Sequence, residues 1–430
     1  MPKKSFGATT IVLFLICLMY ALTYIDRVNV STAASVMQPD LHFTNMEVGM
    51  VFSAFAYPYL FFQIFGGWFS DRFGARKTLA ISAIIWSGAT VATGLVGSLT
   101  ALLCVRTLLG FGQGAAFPAA TRAMADWTPP TRHGMAQGIM HSSARFGNAM
   151  TPPLVVWLIF WTSWRKSFVL LGVISGLWAI VWALYFRDDP RSHSSITPTE
   201  LQSLPNYALR KRAKQQIPWG PLVRRMIPVT AVYFCYGWTL WLYVAWIPSY
   251  FLHRYQLDLR KSAIFSAGVF LGGVLGAALG GVVSDWLLRK TGNINLARRD
   301  IVVFGFLMSL IAMLPPMIWH SQTIAATCFS VALFFAEFTV GPMWAIPMDI
   351  APQYSGSASG LMNVGSALAA ILSPLVFGYV VDKTGNWDIP FLGSIVLLLV
   401  GAFVAAFWMK PGKSLKKLDS GRGPALSMET

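Results

Sequence analysis

Six ionisable side chains stand where charge is expensive. Asp26, Arg27, Arg106, Arg145 and Glu337, joined by His141, each fall inside a long apolar stretch of the chain. Charges in such surroundings normally face a cavity or a partner, and they mark routes for substrates or ions. Arg27 carries a permanent charge on a two-pronged donor that fits a carboxylate. The structural alternative is an ion pair with an acid elsewhere. Asp26 is its neighbour, and adjacent helical side chains diverge by about 100°. The two therefore cannot serve one site: one can face a central cavity while the other faces a neighbouring helix. Arg145 and His141 are four apart and share a helix face, in a segment made polar or small by Ser142, Ser143, Gly147 and Asn148. A second cavity arginine suggests a second anionic group on a ligand, or a strongly hydrogen-bonding one. His141 is read first as a packed, hydrogen-bonded histidine. Glu337, within Phe334–Trp344, is either a carboxyl that titrates after desolvation or the ion-pair partner of Arg27 or Arg145. Tyr24, Tyr59 and Trp344 each put a polar tip on an apolar body, suited to hydroxyl-rich ligands; ordinary packing is the plain alternative.

The elements that hold these residues are membrane helices. The chain has 430 residues, 55% hydrophobic and 12% charged, where soluble domains carry about 25% charged residues. Mean hydropathy is +0.56. Apolar runs near the length that crosses a bilayer core of ~30 Å recur throughout. The first lacks a cleavage site and is read as a retained helix. Helices are expected near 9–31, 47–69, 77–97, 100–123, 134–160 and 165–186, then 224–249, 261–284, 299–319, 322–346, 357–380 and 388–409. The net charge of +16 fits basic loops rather than nucleic-acid binding. Arg27, Arg106 and Arg145 lie within helices; Arg165, Lys166, Arg254, Arg260, Lys261 and Lys383 fall on one side, and all other Lys and Arg on the opposite side. That asymmetry places both termini in the cytoplasm. Cys17, Cys104, Cys235 and Cys328 sit inside helices as small packing residues.

One long polar interruption, Arg187–Pro221, divides the chain. The expected domains are residues 1–186, a linker 187–222, residues 223–410 and a tail 411–430. The two halves echo each other. Gly67-Trp-Phe-Ser-Asp71-Arg72-Phe-Gly74-Ala-Arg76-Lys77 follows helix 2, and Gly281-Val-Val-Ser-Asp285 with Arg289, Lys290, Arg298 and Arg299 follows helix 8. Each motif joins a glycine that permits close helix approach to an aspartate beside basic groups and a helix terminus, a cluster able to lock a gate. Matching motifs in two halves indicate a duplicated transporter fold.

The Gly67–Lys77 segment resembles the signature loop of the major facilitator superfamily, over the full chain. Further segments resemble its anion:cation symporter family, which includes galactonate, glucarate and hexuronate permeases and the vesicular glutamate and sialic acid transporters. They are Tyr24–Asn29, Val51–Tyr59 running to Gln63–Gly67, Arg106–Pro118 and Thr151–Pro153. The resemblance implies an all-α membrane protein with the major facilitator fold, 12 transmembrane helices in two pseudo-symmetric six-helix bundles. It also implies that Arg27 takes a substrate carboxylate, that Asp26 is a protonation site paired with Arg106, and that Asn363 contacts substrate hydroxyls. An aspartate that alternates between an arginine and a proton is a coupling device; a plain salt bridge is the alternative. Two departures stand out. Galactonate-type transporters carry a glutamine that touches substrate at the position of Ala144, and a protonatable glutamate where this chain has Gln113. Gln113 can bind but cannot titrate, which makes Glu337 the candidate replacement.

The expectation is a secondary active transporter in a bacterial inner membrane, a monomer that moves a small organic anion such as a sugar acid or hydroxy acid with a proton, sodium being left open. Rivals are an exchanger of phosphate esters and a ligand sensor that does not transport. The tyrosines and tryptophans from Tyr236 to Trp246 are expected at the extracellular gate. No phosphate loop, metal-spaced cluster or catalytic triad is found, so neither enzyme chemistry nor a cofactor is implied.

Overall fold

Apolar runs long enough to cross a bilayer must satisfy their own backbone groups there, and helices do so within one segment. A computed structural model describes residues 7–43, 47, 50–52, 54–205, 217–257 and 259–412. Among these there are helices and no strands. The first set is α1 (Ala8–Leu41), α2 (Ala56–Phe73), α3 (Ala75–Leu95), α4 (Leu99–Trp127), α5 (His133–Trp161) and α6 (Trp164–Tyr185). The second is α7 (Trp219–Arg254), α8 (Leu259–Thr291), α9 (Leu296–Ile318), α10 (Gln322–Ile350), α11 (Ser355–Thr384) and α12 (Ile389–Trp408). Lys3, Lys4, residues 206–216 of the expected linker and 413–430 of the expected tail lie outside the described residues, as does much of the expected start of helix 2.

Several helices outrun their expected ends: α1 continues to Leu41, α7 to Arg254 and α8 to Thr291. Hydropathy marks only the stretch that hydrocarbon covers, whereas a helix continues into the polar zone for as long as its backbone bonds are made. Eleven helices among the described residues are long and apolar enough to cross a membrane. The helix missing from that set is α5. Its 29 residues reach about 44 Å at 1.5 Å per residue, but Gln137, His141, Arg145 and Asn148 dilute its apolar character. The helix least like a membrane span is the one that carries His141 and Arg145.

Within the first set α1 packs on α5, α3 on α6, and α4 on α2 and α3; within the second α7 packs on α11, α8 on α10, and α9 on α10 and α12. The sets meet where α2 lies on α11 and α5 on α8. Large apolar side chains such as Phe61, Ile84, Leu177, Leu275, Leu375 and Phe403 are exposed on the outer faces, the surface that lipid covers in an integral, multi-pass membrane protein.

Both meeting lines depend on glycine. A Cβ at Gly67 would run into the backbone carbonyl of Gly356, and one at Gly281 into that of Gly134. Each is the first glycine of its half's motif, so the repeat encodes backbone-to-backbone closure. Gly281→Val is expected to force these helices apart, at a cost of about 1–3 kcal/mol for overpacking. A lower melting temperature in detergent is the expected reading; an unchanged melt would refute the contact.

Candidate functional site

Arg27 projects from α1 between the two sets. It is 8% exposed, and its guanidinium carbon lies 4.9 Å from the Tyr24 ring centre, 4.7 Å from Phe55, 4.7 Å from Tyr59 and 5.9 Å from Phe117. Aromatic faces attract a cation through their quadrupole. Its Nε and Nη2 donate to the Gln113 side-chain oxygen at 3.3 and 3.2 Å, and Gln113 in turn donates to the Thr23 carbonyl at 3.1 Å. Among the described residues no carboxylate forms an ion pair with Arg27. It is held in place by neutral groups.

Arg145 is the opposite case. Its Nε donates to Glu337 Oε1 at 3.0 Å, Nη1 to the Tyr24 hydroxyl at 3.0 Å and Nη2 to the Tyr236 hydroxyl at 3.1 Å. Tyr236 donates its own proton to Glu337 Oε1 at 2.8 Å. Of the alternatives open to Glu337, the ion pair with Arg145 is the one formed. It ties α5 of the first set to α10 of the second. Glu337 Oε2 is buried without a hydrogen-bond partner among the described residues.

Asp26 turns away from Arg27, as adjacent helical positions require. The Ser175 hydroxyl of α6 donates to its Oδ2 at 2.5 Å, and Oδ1 has no hydrogen-bond partner among the described residues. The expected Asp26–Arg106 ion pair is not formed. Arg106 Nη2 donates instead to the Arg27 carbonyl at 3.5 Å, while Asp26 is engaged with α6.

A narrow cavity of about 20 Å³ lies between the sets. Seven of the expected binding residues line it: Tyr24, Arg27, Tyr59, His141, Arg145, Trp344 and Asn363. Gln113 does not reach it and acts from behind Arg27. His141 packs between Trp344, at 4.8 Å between ring centres, and Tyr20, at 5.2 Å. Trp344 donates from its ring nitrogen to the Tyr233 hydroxyl at 2.6 Å. Asn363 donates to Gln63 at 2.9 Å and to the Tyr59 hydroxyl at 3.5 Å. Phe117, Tyr233 and Ser366 also line the wall and were not foreseen, and Trp241, expected at the extracellular gate, lines it too. Tyr236, expected at the extracellular gate, bonds within the cavity network instead. The spacing of Tyr233, Tyr236 and Leu240 at i, i+3 and i+7 was the available signal, because it puts them on one face of α7. Trp246, from the same expected gate, stacks on Phe377 at 4.8 Å and donates to the Pro374 carbonyl at 3.1 Å.

The Major Facilitator Superfamily matches residues 16–374 and, in a second match, residues 296–428. The chain belongs to that superfamily. It is therefore a membrane transporter rather than an enzyme. It is similar to "Probable sulfoacetate transporter SauU" of Cupriavidus necator, 44% identical over 408 residues, covering 94% of this chain and 95% of that one. It is also similar to "Probable galactarate/D-glucarate transporter GudP" of Escherichia coli, 29% identical over 424 residues, covering 94% and 93%. Among solved structures, the proton:xylose symporter XylE bound to 6-bromo-6-deoxy-D-glucose shares the fold at a TM-score of 0.74, with 16% identity over 96% of this chain and 99% of that one.

In this facilitator both motif aspartates bond across the halves. Asp71 accepts from the backbone N–H of Gly356 at 3.1 Å and Ser357 at 2.7 Å, at the start of α11. Asp285 accepts from Gly134 at 3.1 Å and Met135 at 2.5 Å, at the start of α5. A helix N-terminus presents free N–H groups and partial positive charge, so a carboxylate there is stabilised. Arg122 approaches Asp71 at 3.8 Å, and Arg298 bridges Asp285 at 2.8 Å and Asp349 at 2.9 Å. The other motif residues have different tasks. Gly74 adopts φ +92° at the corner between α2 and α3, a conformation that favours glycine. Arg76 donates from its backbone to Asp188 at 3.0 Å and from its side chain to the Ala183 carbonyl at 2.8 Å. Burial pushes the Asp188 carboxyl up, against the backbone N–H groups of Arg76 and Ala75. Arg72 lies over the Trp68 and Phe73 rings, at 5.6 and 5.7 Å, rather than in the lock. Each carboxylate at a helix start is worth up to about 2 kcal/mol. The double variant Asp71→Asn, Asp285→Asn is expected to open this end, with spin-label distances from α2 to α11 and from α5 to α8 lengthening. Unchanged distance distributions would refute the lock.

Proposed function

We propose that the protein is a secondary active transporter that carries a small organic anion into the cell together with a proton, anchoring a carboxylate or sulfonate on Arg27. The observation that carries this reading is Arg27 itself, a buried guanidinium on the cavity wall with no carboxylate partner among the described residues. A buried charge without a counter-charge is costly, and an acidic substrate supplies the missing one. The tyrosines and Asn363 on the same wall suit hydroxyl or further oxygen acceptors. Two of the similar proteins are named for organic acids: sulfoacetate in one, galactarate and glucarate in the other. On this reading residues 1–186 and 223–410 are two six-helix domains joined by the 187–222 linker. Both termini and the closed motif end lie in the cytoplasm, as the basic loops argue, and the protein sits in a bacterial inner membrane. One chain suffices for alternating access.

Asp26 is the proton site of this reading. It is a buried carboxylate with one oxygen unpartnered among the described residues, next to the anion anchor, and protonation relieves the cost of that oxygen. Arg106 supports the turn of α1 that carries Arg27. Asp26→Asn is therefore expected to abolish accumulation driven by a proton gradient while substrate exchange continues, as measured in proteoliposomes. Normal accumulation by that variant would end the assignment.

The anion anchor is tested with purified protein in detergent. Carboxylates and sulfonates are expected to raise the melting temperature, since a ligand stabilises the state that binds it, and Arg27→Ala is expected to abolish the rise. Stabilisation by phosphate esters or neutral sugars alone would overturn the proposal.

A further inference from the structure

The cavity holds two guanidinium groups in unequal situations. Arg27 has only neutral partners among the described residues, whereas Arg145 is neutralised by Glu337 of the opposite half. Both face one ring: their central carbons lie 4.9 and 5.5 Å from the centre of Tyr24. The sum of those distances bounds their separation, a span that an acid of a few carbons covers with one hydrogen bond at each end. Glu337 is 0% exposed and uses one oxygen for both Arg145 and Tyr236, leaving the other without a hydrogen-bond partner among the described residues.

We propose that Glu337 is a built-in stand-in for the second acidic group of the substrate. On this proposal the site selects two-headed acids: one head binds Arg27 while the other displaces Glu337 from Arg145 and so releases the tie between α5 and α10. The inference rests on Arg27 as the anion anchor. Charge accounting supports it. Arg27, Arg145 and Glu337 together carry +1, so a dianion that displaces Glu337 leaves one negative charge in excess on a buried carboxylate. An uncompensated buried negative charge is costly, so the proposal includes the passage of one proton from bulk water to a Glu337 oxygen for each two-headed acid bound. The titratable and charged groups that face Glu337 are Arg145 from α5, Tyr236 and Tyr233 from α7 and, through Arg145, Tyr24 from α1; α8 presents Gly273. A one-headed acid engages Arg27 alone and leaves the tie closed.

The test is calorimetric titration of the purified full chain, in two buffers of different ionisation enthalpy. The probes are acetate and methanesulfonate as one-headed acids, and malonate and sulfoacetate as two-headed ones. The wild-type protein is expected to bind the two-headed acids roughly tenfold or more tightly, taking up about one proton more for each than for a one-headed acid. Arg145→Gln is expected to bring the two classes to similar affinity. Glu337→Gln is expected to keep or tighten two-headed binding without that extra proton. The wild-type comparison requires no variant to fold. Binding that depends on Arg27 but shows equal affinities, or no extra proton with two-headed acids, overturns the stand-in and leaves the anchor. Persistence of the preference in Arg145→Gln, or of the extra proton in Glu337→Gln, overturns it too. No anion binding at all, or binding that survives Arg27→Ala, overturns the anchor and the stand-in together.

Discussion

A charge inside hydrocarbon must be matched or must do work, and the centre of this protein is arranged around that cost. Arg145 is matched by Glu337 across the two halves, with Tyr24 and Tyr236 completing its hydrogen bonds. Arg27 is surrounded by ring faces and one amide, which lower the cost of burial without cancelling the charge. One arginine keeps a charge that no carboxylate pairs among the described residues, and the other is already paired with an anion. Because Arg145 and Glu337 sit on α5 and α10, the electrostatics of the cavity and the contact between the halves are one problem, and a ligand that changes the first acts on the second.

At the motif end the halves are joined by different physics. Glycines bring backbones together, and two carboxylates reach across to helix N-termini. Neither device needs a long flexible side chain, so little conformational entropy is lost when the end closes. Each is repeated once in each half, so the closure is nearly symmetric, whereas the cavity is not: its arginines both come from the first set and its carboxylate from the second. Duplication explains the frame that closes, and divergence within α1, α5 and α10 explains what the frame holds.

The long apolar runs and the paired glycine–aspartate motifs were legible in the sequence because each depends on local composition or spacing. So were most of the cavity residues, since an ionisable or hydrogen-bonding side chain in an apolar run is tolerated only where a cavity or a polar partner meets it. Tyr233 and Tyr236 were less visible: in a helix rich in aromatics, position along the chain says nothing about depth in the cavity. The polar helix α5 was expected at 134–160 and lies at His133–Trp161, although its composition alone falls short of a membrane span.

Tertiary structure alone decided the pairings. Sequence spacing showed that Asp26 and Arg27 diverge, but only packing against α6 gave Asp26 to Ser175 and left Arg106 with a backbone carbonyl. Glu337 had two candidate arginines, and the register of α10 against α5 chose Arg145. Residue types set which charges are buried, because burial follows from the apolar run around them. Which charge meets which is set by contacts between segments far apart in the chain, in this case 192 residues apart, and local sequence carries no record of that distance.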